Sequence, residues 1–317
     1  DQIFEYLHHL PIVFILGLVA LIGLYFGKTM KFIKLPSIIG FMVIGIILGP
    51  SLVNLLNEEF QERMSFITEI ALGFVALSIG LELSFATLKK QGNSIIYIIF
   101  SESFMAFFVV TGFVYVFSIL SSIPNNLALP LALIFGSIAP ASAPAGTVAI
   151  IKEYNARGNL TKALYSVVGF DDGLGIIIFG FASVFARSII SSHNGKEIST
   201  ILLLLTPLKE IGLSLLVGVI AGFAYSFLLR FKLSKKDIFI LTFAFVFMVI
   251  GLSKILHLSL ILTNMIVGIV IVNSLSEHVV HKIGEELTSV MPLLFILFFV
   301  FAGSNLHIAA LPSLGLL

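Results

Sequence analysis

The chain is a succession of apolar runs about twenty residues long, joined by short polar connections. Twenty helical residues rise about 30 Å, the thickness of the hydrocarbon core of a bilayer. Backbone inside lipid must satisfy its own hydrogen bonds, so such runs are constrained to be helices. Ten spans are predicted, numbered here in chain order: Pro11–Phe26, Pro36–Val53, Phe66–Phe85, Ser94–Leu120, Leu127–Glu153, Thr161–Ile189, Thr206–Leu229, Asp237–Ile255, Leu260–Ser274 and Val290–His307. They leave 11% of the 317 residues charged, against about a quarter in soluble domains, and a mean hydropathy of +1.13. The expected class is an all-α polytopic membrane protein. A net charge of +1 offers no field for nucleic acid, and the absence of cysteine excludes disulfides and thiolate metal sites. The opening residues, Asp1-Gln2-Ile3-Phe4-Glu5, lack the basic region of a signal peptide.

Lysine and arginine fix the expected orientation. Thirteen of the 18 fall in the connections that follow odd-numbered spans, and five fall on the other side. The basic side is expected to be cytoplasmic, which puts the N-terminus outside.

A displacement of 223 residues superimposes Leu35–Asn54 on Leu258–Glu277, with identities that include Met42/Met265, Gly45/Gly268 and Ser51/Ser274. The same displacement, without a gap, puts Gly80 on Gly303 and Leu83 on Leu306. Spans 2 and 3 therefore match spans 9 and 10. Span 2 runs from inside to outside and span 9 runs the other way, so the repeats are inverted, an architecture of many secondary transporters. Counterparts of spans 4 to 6 would fall beyond Leu317, so three further helices of the second repeat are expected outside this sequence.

Two stretches carry chemistry. In span 5, Pro140-Ala141-Ser142-Ala143-Pro144-Ala145-Gly146-Thr147 places two prolines and a glycine within seven residues, which removes backbone donors and breaks the helix. A broken helix at membrane depth is tolerated where it is packed in protein or lines a wet cavity. Its freed carbonyls, the Ser142 and Thr147 hydroxyls and the half-helix dipoles can then face an ion. In span 6, Phe170-Asp171-Asp172-Gly173 buries two carboxylates, each costing on the order of 2.5–3.5 kcal/mol if ionised in lipid. A carboxylate takes a hard monovalent cation when ionised and a proton when neutral. Burial raises its proton affinity until the two compete near neutral pH. A structural pair neutralised by a buried basic residue is the plainer alternative, and no lysine or arginine lies centrally in the ten spans.

With Leu35-Pro36-Ser37-Ile38-Ile39-Gly40, Gly45-Ile46-Ile47-Leu48-Gly49-Pro50, Gly80-Leu81-Glu82-Leu83 and Val148-Ala149-Ile150-Ile151-Lys152-Glu153, these stretches resemble the monovalent cation/proton antiporters of the second type, the bacterial Na+/H+ and K+/H+ antiporters. The resemblance implies an inverted-repeat antiporter fold with a broken helix in its core domain and elevator-type alternating access. Residues 1–93 and 237–317 would then be scaffold and dimer helices, 94–190 the ion-binding core and 198–230 a linking helix. It implies that Asp172 carries the cation or proton, assisted by Asp171, with Ser142 as the broken-helix ligand where relatives often have threonine. Pro140, Ala141, Pro144, Gly146 and Thr147 would support that ligand. It also implies transported Na+ (or K+ or Li+) and H+ with no cofactor and no enzymatic role, a homodimer, and residence in a bacterial or archaeal cell membrane. The Asp-Asp pair is the variant tied to Na+ and to charge-moving exchange.

Two carboxylates and a hydroxyl do not fix ion selectivity, so a K+/H+ antiporter or K+ efflux system of the same fold stays open. An intramembrane aspartyl protease needs its two aspartates on different helices, and a bile-acid-type sodium symporter shares crossed broken helices without the Asp-Asp pair. Glu102 in span 4 reads either as a proton relay or as a protonated side chain bonded to a neighbouring helix. Glu82 is expected to pair with Lys89 or Lys90, Glu69 to sit at an interface, and Lys254 and His257 to occupy a turn. His278 and His281 are expected in a loop with Glu277, Glu285 and Glu286. His8 and His9 flank the first span, and Gly17, Gly23, Gly27, Gly40, Gly45 and Gly49 permit close helix contact.

Overall fold

The computed structural model describes residues 11–86, 89, 93–121, 123–142, 144–194, 200–229 and 234–306, whose regular elements are helices with no strand among them. The helices whose bounds lie among the described residues are, in chain order, α1 Ile12–Phe32, α2 Ser37–Leu48, α3 Glu58–Glu82, α4 Asn93–Leu120, α5 Asn125–Ile138, α6 Pro144–Glu153, α7 Asn159–Asn194, α8 Thr200–Leu228, α9 Lys235–Ile255, α10 Leu260–Ser274 and α11 Glu277–Ser304. Each predicted span has its helix, and span 5 is divided into α5 and α6. Among the described residues, α1, α3, α4, α8, α9 and α11 are long and apolar enough to cross a bilayer alone. At 12 residues, α2 is only about 18 Å long. It stops at Leu48, five residues before the predicted end, because Gly49-Pro50 cannot continue it.

Other boundaries move outward. The third helix begins at Glu58 rather than Phe66, started by the Phe60 amide donating to Asn57 Oδ1 at 2.8 Å. Glu69, expected at an interface, is therefore half-buried midway along α3. The last helix begins at Glu277, so His278 and His281 stand on its first turns rather than in a loop. Glu82 is exposed and makes no ion pair with Lys89 among the described residues; Lys90, His8 and His9 lie outside them. A Cβ at Gly17 would meet nothing within 4 Å, so this glycine seats no helix among the described residues.

By packing, the chain divides into two compact units. The first comprises residues up to Val75, Ala145–Ala156 and residues from Ile283; the second comprises Ala76–Pro144 and Arg157–Lys282. In the first unit α2 crosses α11 with no room for side chains. A Cβ at Gly45 would strike the Val300 carbonyl oxygen, and one at Gly303 the Met42 carbonyl oxygen. In the second unit α10 crosses the end of α3 in the same way. A Cβ at Gly268 would come to 2.5 Å from the Leu77 oxygen, and one at Gly80 would strike the Met265 oxygen.

These crossings are one contact made twice. Adding 223 to Met42 and Gly45 gives Met265 and Gly268, and subtracting 223 from Val300 and Gly303 gives Leu77 and Gly80. The repeat reaches further than sequence identity shows. Helix α1 ends at Phe32 and α9 at Ile255, again 223 apart. Both helices are closed by a left-handed residue, Lys34 (φ 60°) and His257 (φ 52°). The Leu35 amide returns to the Met30 oxygen at 3.0 Å, and the Leu258 amide to the Ser253 oxygen at 2.8 Å. This is the helix-ending loop that usually carries glycine. Neither position holds a glycine, so the turn is fixed by its surroundings and not by the residue's own preference.

Candidate ion-binding site

Helices α4, α5 and α7 pack on one another within the second unit. At Gly136 α5 lies so close to α4 that an added Cβ would strike Thr111 Oγ1 and come within 2.9 Å of the Phe107 oxygen. Two residues further on, α5 ends. The Ala139 amide donates to Gly136 at 3.2 Å and the Ala141 amide to Ile138 at 3.1 Å, a tightened last turn. Pro140 between them has no amide to donate. Ala141 and Ser142 are non-helical, and Pro144 opens α6. Proline is suited to that first position, where its missing N–H would have had no helical partner. The break thus has a complete local cause in Pro140 and Pro144.

The Ser142 hydroxyl is buried in this break and has no hydrogen-bond partner among the described residues. Helix α7 passes alongside: a Cβ at Gly175 would lie 3.9 Å from the Ala141 Cβ. Asp171 is four residues before Gly175 on the same helix, and therefore on the same face one turn away. It is 1% exposed. Asp172 follows on α7, about 100° further round the helix, and its side chain lies outside the described residues. A serine hydroxyl, the carbonyls released by the break and a neighbouring carboxylate form an all-oxygen donor set, suited to a hard cation. Among the described residues no group of three or more His, Asp or Glu forms a metal cluster.

The remaining candidates are arranged differently. Gly146 and Thr147 lie in the first turn of α6, half-buried. Glu102 is exposed on α4, and the hydrogen bond it accepts comes from its neighbour Ser103 at 3.4 Å rather than from another helix.

Sequence reasoning treated Glu153 only as part of a motif. The structure gives it a defined task within the first unit. Its carboxylate accepts from the Ser37 amide at 3.0 Å and from the Ser37 hydroxyl at 2.7 Å, and Lys31 Nζ stands 3.3 Å away. Helix α2 has Pro36 at its N-cap and no side-chain cap of its own. Its repeat counterpart α10 is capped locally, with Ser259 Oγ accepting from the Leu262 amide at 3.2 Å. Glu153 therefore caps α2 from 116 residues away. The signal was present in the repeat alignment, where Pro36 stands against Ser259.

Residues 17–317 match the family model for the sodium/hydrogen exchanger, transmembrane. The chain belongs to the sodium/hydrogen exchanger family. It is 33% identical over 138 residues to the Na(+)/H(+) antiporter NhaS4 of Synechocystis, which covers 40% of this chain and 32% of that protein. It is 24% identical over 177 residues to Na(+)/H(+) antiporter 1 of Methanocaldococcus jannaschii, covering 55% of this chain and 40% of that one. The chain thus matches about a third to two-fifths of the length of these curated relatives. The structure of the sodium proton antiporter MjNhaP1 from M. jannaschii at pH 8 superimposes with a TM-score of 0.65 at 19% identity, over 95% of this chain and 72% of that one. The exchanger family, the antiporter fold and the apolar helices make this an integral membrane protein.

Proposed function

We propose that this chain forms the ion-translocating part of a Na+/H+ exchanger, with Asp172 as the alternating carrier of cation and proton. Asp171 and Ser142 complete the site. The supporting observation is the broken helix: a buried serine hydroxyl without a hydrogen-bond partner among the described residues, with α7 packed against the break one turn from the buried Asp171. An unsatisfied buried hydroxyl is costly unless something fills its coordination, and a desolvated cation does so.

Coupling follows from electrostatics. Bare carboxylates cross a dry barrier at a cost of several kcal/mol, whereas a carboxylate neutralised by Na+ or H+ does not. Only loaded forms then change sides, and exchange results without further machinery. The core helices α4, α5, α6 and α7 would carry the site in an elevator movement, with the basic connections facing the cytoplasm and a homodimer formed through the outer helices. K+ in place of Na+ is an alternative for the same site. In proteoliposomes containing the full-length protein, Asp172→Asn is expected to abolish cation-dependent proton flux while leaving the protein folded. Flux that survives this change overturns the assignment. Ranking Na+, Li+ and K+ in the same vesicles decides the cation.

A further inference from the structure

Helix α6 is the second half of the broken helix, and by packing it belongs to the first unit together with α1 and α2. Its last residue, Glu153, is held by the corner where α1 turns into α2. Glu153 Oε2 accepts from the Ser37 amide at 3.0 Å, Oε1 accepts from the Ser37 hydroxyl at 2.7 Å, and Lys31 Nζ lies 3.3 Å from Oε1. The Glu153 side chain is 11% exposed. Bonds to an ionised carboxylate are stronger than those between neutral groups, so this contact weighs on where α6 stands.

Three observations set it apart from an ordinary helix cap. First, the corner is built without Glu153. The Leu35 amide closes the turn on the Met30 oxygen at 3.0 Å, and a Cβ at Gly40 would come to 3.0 Å from the Phe26 oxygen and 3.2 Å from Gly27 Cα. The two helices are locked on each other by their own backbone, and the end of α6 meets a finished surface. Second, the repeat counterpart α10 is capped locally by Ser259, whereas Pro36 at the same place in α2 supplies no side-chain acceptor. The cap of α2 is thus conditional on the position of α6, and that of α10 is not. Third, the corner can let go. The Ser37 hydroxyl has the Gly27 carbonyl at 3.2 Å as a second acceptor, and the Lys31 side chain is already 57% exposed. Only the Ser37 amide is left to be solvated.

We infer that Glu153 is a positioning residue for exchange: a releasable tie that holds the second half of the broken helix on α2 in one end state and parts in the other. The inference rests on the proposed elevator movement, in which α6 travels with the ion site. Hydrogen bonds do not survive stretching past about 3.5 Å, so a displacement of α6 along α2 by even one helical residue breaks the tie. Glu153 does not reach the ion. The ten residues of α6, about 15 Å of helix, separate it from the break. It acts on the balance between states, and through that balance on the side from which the cation is met.

The test uses the full-length protein in proteoliposomes, with any cysteine outside residues 1–317 replaced, since residues 1–317 contain none. In the Ser37→Cys/Glu153→Cys double variant, a short bis-methanethiosulfonate reagent should stop cation-dependent proton flux, and a reductant should restore it. The same reagent should leave each single-cysteine variant at its untreated rate. A cross-linked protein that exchanges at its untreated rate overturns the tie. A second measurement stands if the cysteine pair does not fold. Glu153→Gln retains an acceptor oxygen but loses the charge, and the apparent KM for Na+ is measured from each face of the membrane. Loss of a contact made in one state should raise KM on one face and lower it on the other, by at least about threefold between them. A merely structural role would lower the amount of active protein and move neither KM. Unchanged values, or shifts in the same direction on both faces, overturn the inference. Exchange by the untreated protein and its loss in Asp172→Asn report on the carrier separately, so failure of that reading is told apart from failure of the tie.

Discussion

Replacing Glu153 with alanine removes the one side-chain cap that α2 has among the described residues and should destabilise the protein by about 2–3 kcal/mol. The figure comes from three contacts of unequal weight. The Ser37 amide, a first-turn donor of α2 in a residue 8% exposed, loses an acceptor at 3.0 Å. A buried donor left without a partner costs about 1–3 kcal/mol. The Ser37 hydroxyl loses a 2.7 Å bond to the same carboxylate but keeps the Gly27 carbonyl at 3.2 Å as an alternative, so its loss is partly recovered. Lys31 contributes least, because its side chain is 57% exposed and solvent screens the pair. A carboxylate at the C-terminal end of its own helix opposes that helix's dipole. The position therefore gains its stabilisation from α2, whose N-terminal dipole has the favourable sign. The chain contains neither tryptophan nor cysteine, so unfolding is best followed by heating a fluorescent-protein fusion of the full-length protein and measuring what survives size exclusion. Glu153→Gln, which retains one acceptor oxygen, should recover part of the loss. Glu59→Ala removes an exposed pair with Arg63 (side chains 70% and 61% exposed) and serves as control, with a change below about 0.5 kcal/mol. Equal melting of the Glu153→Ala and Glu59→Ala variants would refute the capping argument.

The glycine crossings give a second prediction, read in the same melting assay. Gly268→Ala forces a Cβ to 2.5 Å from the Leu77 oxygen and 2.8 Å from Gly80 Cα, at an overpacking cost of about 1–3 kcal/mol. Gly251→Ala, in open space on α9, should be neutral or stabilising by up to about 1 kcal/mol through helix propensity; similar losses at both would show that the crossing is not close-packed. Combined with Gly45→Ala at the other crossing, Gly268→Ala should be additive, since the two share no partners. Ser142→Ala should raise the apparent KM for Na+ in vesicle flux several-fold with a smaller change in maximal rate, and an unchanged KM would remove the hydroxyl from the site. Glu102→Gln, at an exposed position that accepts a hydrogen bond from its neighbour Ser103, should leave exchange close to wild type in that assay, and a collapse of flux would restore it as a proton relay.

The sequence by itself determined the helical class, the number of apolar spans, the break at Pro140 to Pro144 and the repeat of 223 residues. Each rests on a local rule: apolar length, missing backbone donors, or residue identity at a fixed displacement. Boundaries in polar stretches were less legible. Glu58 to Met64 and Glu277 to Val290 are too charged for an apolar-run criterion, yet both are helical. Their start is set by capping and packing, and hydropathy does not register either. The nearness of Asp171 to the break could not be read from spacing, because it depends on α7 passing Ala141 at Gly175. The cap on α2 and the pairing of Gly45 with Val300 and of Gly268 with Leu77 likewise join residues far apart in the chain. Local sequence specifies where backbone groups are left wanting a partner or side chains leave a gap. Which distant group answers them is decided only when the helices pack.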